Sequence, residues 1–400
     1  MTGRHVVPVV LGLTVGALIH GPVLELPAAE RDRGKSSRNR REKGKEPPFR
    51  KWGAGVLATV DRDLKTGTLY AEWRTRDGKK GNEHGPYSYV WPASFQLRAL
   101  AAAARVSPRS YRKRLILFAD SLERYWTVKR GVGGYAVLPG ASERYYDDNA
   151  WMLLGLLDTV DATRQKKYLQ RAIRTLEFLV SGEKRTEGGG IRQHEDKEGG
   201  PFTCSTAPAA VGAMRIYRIT KKRKYLELAE RWYAWLTSPE VGVRDPGDGL
   251  YHQWAKKVDG RWEVERGKRA YQSALPLELN LLLHAATKDE KYLQEARFIA
   301  DSAVKRWVRE SGAIDETGQW GGSDLCAALL ELHEVDGDRR WLRVVHRALE
   351  FLHEKGRDPE GRYGEEWREV RTEKPVGKVH LLYMAPVAQA YWRAAASARR

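Results

Sequence analysis

The stretch YLQRAIRTLEFL, residues 168–179, recurs along the chain in altered form. It returns as YRKRLILFADSLERYW from Tyr111, YLELAERWYAWL from Tyr225, YLQEARFIADSAVKRW from Tyr292 and WLRVVHRALEFL from Trp341. The leading rings stand 57, 57, 67 and 49 residues apart, a repeat length that points to stacked supersecondary units. Within each copy, apolar residues fall at helical intervals and Lys, Arg and Glu fill the other face. That is the pattern of a helix half exposed to water.

Before each copy lies a second kind of segment, more apolar and richer in Ala: 91–105, 148–162, 205–219, 271–286 and 322–335, with a sixth at 380–396. A helix apolar almost all round belongs inside. Six inner helices and five outer ones leave one outer place empty, and residues 54–65 (AGVLATVDRDLK) fill it from the N-terminal side. Short turns such as 163–167 join the helices of a pair; longer Gly-rich stretches such as 186–200 and 243–260 join one pair to the next. The expected fold is all-α, an (α/α)6 barrel made of six helical hairpins. Strand-type alternation is confined to short pieces such as 262–264, which allows a minor hairpin. An open helical solenoid would need polar capping repeats, and none is evident.

Composition bounds the rest. The chain has 400 residues, 42% apolar and 30% charged, enough to bury a large core. Its two cysteines, Cys204 and Cys326, make neither a disulfide framework nor a zinc motif. No apolar run reaches the length of a membrane-spanning helix. Net charge is +18, but residues 31–51 hold ten Lys or Arg against three acids, and the remaining excess is spread thinly. A solvated basic surface explains this better than specific nucleic acid binding, for which no module is present. Arg4 and His5 precede an apolar stretch from Val6 to Ile19, with small residues at Ala28 and Ala29. Residues 1–29 thus read as a signal peptide or N-terminal anchor, 30–51 as a basic disordered linker and 52–400 as the barrel. The expected location is secreted, or periplasmic at the cell envelope, where the basic segment could associate with an anionic surface. The expected state is a monomer.

In such a barrel, long loops gather at the N-termini of the inner helices, where free amides and the positive dipole end are presented. The sharpest signal there is Tyr145-Tyr146-Asp147-Asp148-Asn149-Ala150-Trp151, at the mouth of the second inner helix. Two readings stand side by side. Asp147 caps the helix while Asp148 complements its dipole, or the two carboxyls work together, one ionised and one protonated.

The paired aspartates followed by Trp151 at the start of a buried helix, within six helical hairpins, resemble the glycoside hydrolase family 76 endo-α-1,6-mannanases. The resemblance covers most of residues 50–396. It takes in the aromatic entry to the first inner helix (Tyr87, Tyr89, Trp91), Gly188-Gly189-Gly190-Ile191, and Tyr271-Gln272 at the fourth inner helix. It implies a retaining hydrolase of α-mannosidic bonds, α-1,6 above all, in a polysaccharide or oligosaccharide. Asp147 would be nucleophile and Asp148 general acid/base. Substrate-binding residues would be Trp91, Tyr146, Trp151, Gly189, Gly190, Tyr271 and Gln272, joined by Trp320 from its place near a predicted inner-helix entry, and no cofactor or metal is needed. A retaining mechanism wants its carboxyls about 5–5.5 Å apart, within reach of neighbouring side chains. The sequence departs from the family pattern where Arg192 and Gln193 follow Gly190-Ile191, at Gly199-Gly200-Pro201-Phe202-Thr203-Cys204, and where Ser273-Ala274 follow Gln272.

Other residues compete for attention. Tyr251 and Trp254 sit in loops and could form sugar subsites, whereas Trp232, Trp235 and Trp307 read as core. Asp245, Asp248, Asp315, Glu316, Asp324, Glu365 and Glu366 are alternative acids, with Asp324 expected to cap the fifth inner helix. His194, His252 and His380 at loop positions suggest a sugar 2-epimerase, which would set two histidines across a deep pocket. A noncatalytic glycan-binding or scaffold role is the other alternative. Both cysteines read as structural.

Overall fold

The computed structural model describes residues 48–316 and 318–398; the segment read as a signal or anchor, and the basic stretch up to residue 47, lie outside them. Twelve α-helices occur among the described residues: α1 (Phe49–Leu64), α2 (Val90–Val106), α3 (Pro108–Ser121), α4 (Tyr146–Thr163), α5 (Lys166–Ser181), α6 (Thr203–Thr220), α7 (Arg223–Thr237), α8 (Ala270–Thr287), α9 (Glu290–Trp307), α10 (Gln319–Asp336), α11 (Arg339–Phe351) and α12 (Leu381–Ser397). The even-numbered helices pack each on the next, and α12 returns to α2, closing the inner ring. Each odd-numbered helix lies outside its partner, with α1 against α12. This is the (α/α)6 toroid the repeat implies. Helix α1 begins at Phe49, so the fold reaches back into the segment read as linker.

Burial follows the two sequence patterns. Every residue of α4 from Asn149 to Val160 is buried, whereas α11 buries only Trp341, Val345, Ala348 and Leu349, a single stripe at helical spacing. Each fully buried Leu contributes roughly 1.5–3 kcal/mol, so the inner ring supplies most of the cohesion. Close approach between α4 and α6 depends on Gly212, where a Cβ would stand 2.3 Å from Leu153 Cδ2.

A repeated local device makes the inner-to-outer turns. Helices α4, α6 and α8 each end in Thr followed by a left-handed Arg164, Lys221 or Lys288, whose N–H bonds to the carbonyl four residues back. The Thr hydroxyl then accepts the N–H two residues on, at 3.3 Å for Thr163 and Thr220 and 3.2 Å for Thr287. Helix α10 does the same with Asp336 and Gly337. These contacts satisfy orphan groups at both helix ends within a few residues.

The opposite rim carries the long loops and short strands. Two antiparallel hairpins pair Trp126–Lys129 with Val132–Tyr135 and His252–Val258 with Arg261–Lys268. The second is the minor hairpin expected near 262–264, and it is longer than the sequence suggested. A three-stranded piece sets Trp73–Thr75 between Lys80–Gly81 and Lys378–His380, joining the two ends of the barrel. Closure is reinforced by buried Asp63 at the end of α1, which accepts from Arg62 and Arg362 at 2.9 Å and from Arg74 at 3.0 Å.

Candidate active site

All six inner helices point their N-termini at one rim, where a cavity of about 800 Å³ opens. Trp91 of α2, Asp147, Asp148 and Trp151 of α4, Cys204 of α6, Tyr271 of α8, Trp320 of α10 and Leu382 and Tyr383 of α12 all line it. Trp91 and Trp320 meet edge to face at 5.3 Å, and Trp151 leans on Phe95 at 5.0 Å and Tyr271 at 5.9 Å. Rings that brace one another leave fixed faces for an apolar or sugar surface.

The capping reading of the acid pair does not hold in its simple form. Tyr145 is the N-cap residue, without a side-chain cap, so Asp147 and Asp148 sit inside the first turn. Their surroundings differ sharply. Asp147 accepts from the Asp148 backbone N–H at 2.9 Å through Oδ1 and from Gln193 Nε2 at 2.7 Å through Oδ2, with Cys204 Sγ at 3.7 Å from Oδ2. Burial raises its proton affinity while these donors pull it back. Among the described residues Asp148 has no such donors. Burial first, then the neighbouring charges of Asp147, Glu72 and Glu143, hold its carboxyl well above the ordinary range. Among the described residues no cation pairs with either acid. The site therefore pushes two adjacent carboxyls apart in their readiness to ionise, which is how acid and base roles are divided.

One residue the sequence passed over, Glu72, and several it read differently complete the wall. Glu72 accepts from the Tyr89 N–H at 2.8 Å and faces His380 Nε2 at 3.2 Å. His380 Nδ1 in turn accepts the Leu382 N–H at 3.2 Å and so caps α12, which leaves the proton on Nε2 for Glu72. Burial raises Glu72 to about 7 and lowers His380 to about 4. Glu365, one of the alternative acids, also lines the cavity. Gln193, noted only as a departure from the family pattern, supplies the firmest bond to Asp147, and Cys204, read as structural, touches the same oxygen.

Several expected site residues lie elsewhere. Tyr146 turns outward and stacks on Phe178 at 4.6 Å. Gly189 and Gly190 do not reach the cavity: a Cβ on Gly190 would meet Trp235 at 2.5 Å and Pro201 at 2.6 Å, so the glycines let Ile191–Gln193 approach α7 and α6. Gln272 is buried, 3.5 Å from the Tyr271 hydroxyl, and positions the ring behind the cavity wall. Asp324 is not a cap, because α10 begins at Gln319; it lies in the core and accepts from Arg98 at 3.0 Å. Asp245 and Asp248 hold Lys268, Asp315 holds Arg309 and Arg368, Glu316 accepts the Ala270 N–H, and Glu366 holds Arg368. Tyr251 is core. Of the three histidines of the epimerase reading His380 alone lines the cavity; His194 bonds Glu143 at 3.0 Å and His252 the Arg266 carbonyl at 3.0 Å, so no two of them face one another across it.

A helical toroid that opens at one rim into an aromatic-walled cavity floored by two unequal carboxyls defines a six-hairpin protein of the glycosidase class. The chain belongs to glycosyl hydrolase family 76, whose family model matches residues 56–319. Among solved structures it is similar to the GH76 α-mannanase of Bacteroides thetaiotaomicron, at 28% identity and a TM-score of 0.79, over 87% of this chain and 95% of that one. It shares its fold with an α-1,6-mannanase of a Salegentibacter species, at 22% identity and a TM-score of 0.73, over 87% of this chain and 99% of the other. That structure is an inactive variant with two adjacent aspartates changed to asparagine, in complex with α-1,6-mannotriose. A curated relative, the meiotically up-regulated gene 191 protein of Schizosaccharomyces pombe, is 25% identical over 250 residues, 57% of this chain. The chain spans about half the length of that relative, 53%.

Proposed function

We propose that the protein is a retaining hydrolase of α-1,6-mannosidic linkages, with Asp147 as nucleophile and Asp148 as general acid/base. The observation that carries the reading is the unequal environment of two adjacent carboxyls on one cavity floor. Asp147 is oriented by two N–H donors that favour its charged form. Asp148, buried beside other acids and without donors among the described residues, holds its proton. In the first step Asp148 protonates the leaving glycosidic oxygen while an Asp147 oxygen bonds to the anomeric carbon. In the second, Asp148 takes a proton from water, which attacks the same carbon and releases Asp147. Trp91, Trp151 and Trp320 offer ring faces to the sugars. The bound mannotriose of the Salegentibacter enzyme supports the choice of linkage. The N-terminal apolar stretch from Val6 to Ile19 supports export.

The test is release of manno-oligosaccharides from α-1,6-mannan, with the anomer of the first product followed by NMR. An initial α-anomer that vanishes in Asp147→Asn and Asp148→Asn supports the reading. A β-anomer refutes the retaining mechanism, and turnover that survives both changes refutes the assignment.

A further inference from the structure

Beside the catalytic cavity lies a second hollow of about 350 Å³, and the two share Tyr145, Gln193 and Phe202 in their walls. Gln193 therefore faces Asp147 on one side and this annex on the other. The annex has a basic lining, with Arg192, Lys197 and Lys256 against the single acid Glu198. Among the described residues neither Arg192 nor Lys256 pairs with a carboxylate; Arg192 rests over the Tyr146 ring, its guanidinium carbon 5.5 Å from the centroid. Lys197 has Glu143 at 3.7 Å, and Glu198 is engaged by Lys184 at 3.5 Å. The remaining surface is aromatic: Trp254 lies 6.0 Å from Phe202, tilted by 35°.

The hollow is preformed. Backbone bridges pair Tyr145 with His194, Arg192 with Pro201 and Phe202 with Trp254, so three walls are tied together. Gly200 lets the loop lie flat on the strand that carries Lys256, since a Cβ there would stand 2.2 Å from the Ala255 carbonyl oxygen. The two stretches that depart from the family pattern, around Arg192 and across Gly199–Phe202, are the ones that build this annex.

We propose that the annex is a subsite for a glycan residue bearing a negative charge, a phosphoryl or carboxyl group, seated on Trp254 and Phe202 and met by Arg192 and Lys256. The subsite rests on the hydrolase reading for the direction in which the chain of sugars runs. An aromatic face takes the sugar ring, while guanidinium and ammonium donors at the edge take an anion by charge-assisted hydrogen bonds.

The test is calorimetric binding to the full chain carrying Asp147→Asn, which reads the subsite without turnover. Three ligands are compared: α-1,6-mannotetraose, the same tetraose with a terminal phosphate monoester, and one ending in a uronate. The expected result is about tenfold tighter binding of a charged ligand at low salt, the ratio given by a net gain near 1.4 kcal/mol. The ratio should fall towards one at ~1 M salt, where the Debye length is about 3 Å, and in the Arg192→Gln/Lys256→Gln double variant. Which charged ligand gains more identifies the anion. Equal affinities, a preference that survives the double variant, or no binding of any ligand overturns the proposal. Hydrolysis of the neutral tetraose by the unmodified protein is measured separately and bears on the proposed function alone.

Discussion

Asp148→Asn separates the proposed roles most cleanly, because little else depends on that carboxyl. It accepts no hydrogen bond from the described residues, and its neighbours are acids. Removing it leaves no orphaned donor, so lost activity reports lost chemistry. General acid catalysis is worth about 10²–10⁴-fold, or roughly 3–5 kcal/mol of barrier. With a mannose leaving group, kcat/KM should fall by that factor. With a 2,4-dinitrophenyl mannoside, whose phenolate departs unprotonated, the first step should be nearly spared. Asp147→Asn should abolish turnover of both substrates and should also cost stability, since an Asn amide has one acceptor oxygen for the two donors, Asp148 N–H and Gln193 Nε2, at about 1–3 kcal/mol for the unmet group. Thermal unfolding supplies an independent sign. A carboxyl with a raised folded pKa stabilises fully below its unfolded value of 3.8, and that contribution is lost as pH rises through the folded pKa. Asp148→Asn should therefore leave Tm unchanged near pH 4 and raise it relative to the parent at pH 7. Equal losses on both substrates, or a lower Tm at pH 7, would refute the assignment.

The remaining predictions concern the wall, the closure and the annex. Glu72→Gln removes a like charge beside Asp148, so the alkaline limb of the kcat/KM–pH profile should move to lower pH; an unmoved limb would separate Glu72 from the acid. Asp63→Asn takes a buried carboxylate from three arginines, of which Arg62 and Arg74 are partly exposed and Arg362 keeps Glu360, and should cost about 1–3 kcal/mol in urea unfolding at pH 7. Asp63 is held down at about 2, so its contribution is present above the unfolded value of 3.8 and disappears as pH falls towards 2; the deficit of the variant should shrink over the same window. Gly200→Ala forces a Cβ to within 2.2 Å of the Ala255 carbonyl and 2.8 Å of Lys256 Cα, an overpacking worth about 1–3 kcal/mol; an unchanged Tm would show the loop to be pliant.

Helix identity was legible because burial leaves a plain mark: α4 is apolar all round, α11 only on one stripe. The left-handed Arg164, Lys221 and Lys288 sit behind Thr in a motif that could have been read as a turn signal. The acid pair was legible for the same reason as the helix it opens. Glu72 was not, and Gln193 and His380 stood out only as a family departure and an epimerase candidate, because they come from rim loops and strands with no period, and Glu72 meets His380 only where Trp73 pairs with His380 across the whole length of the chain. Asp324 was misread by position: placing the start of α10 near residue 322 made a cap of a residue that lies within the helix.

Helix α4 holds both uses of a carboxylate in one element. Asp147 and Asp148 open it and Asp158 lies about three turns further on, some 15 Å along the axis. Around Asp158 the barrel gathers Arg98, Arg215 and Arg393, which outweigh its burial and hold its carboxyl well below the usual range. At the open end no arginine among the described residues pairs with the acid pair, and burial there acts on Asp148 without an opposing cation. The same helix is thus anchored at one end by a carboxylate whose charge three arginines meet, and carries at the other Asp147, met by neutral donors alone, and Asp148, met by none among the described residues. A cation among the rim acids would quench the difference between Asp147 and Asp148 as surely as removing either one. Arg192, the rim arginine nearest in sequence to Gln193, is instead turned over Tyr146 towards the annex, which keeps its charge for a ligand while the acid pair retains its proton.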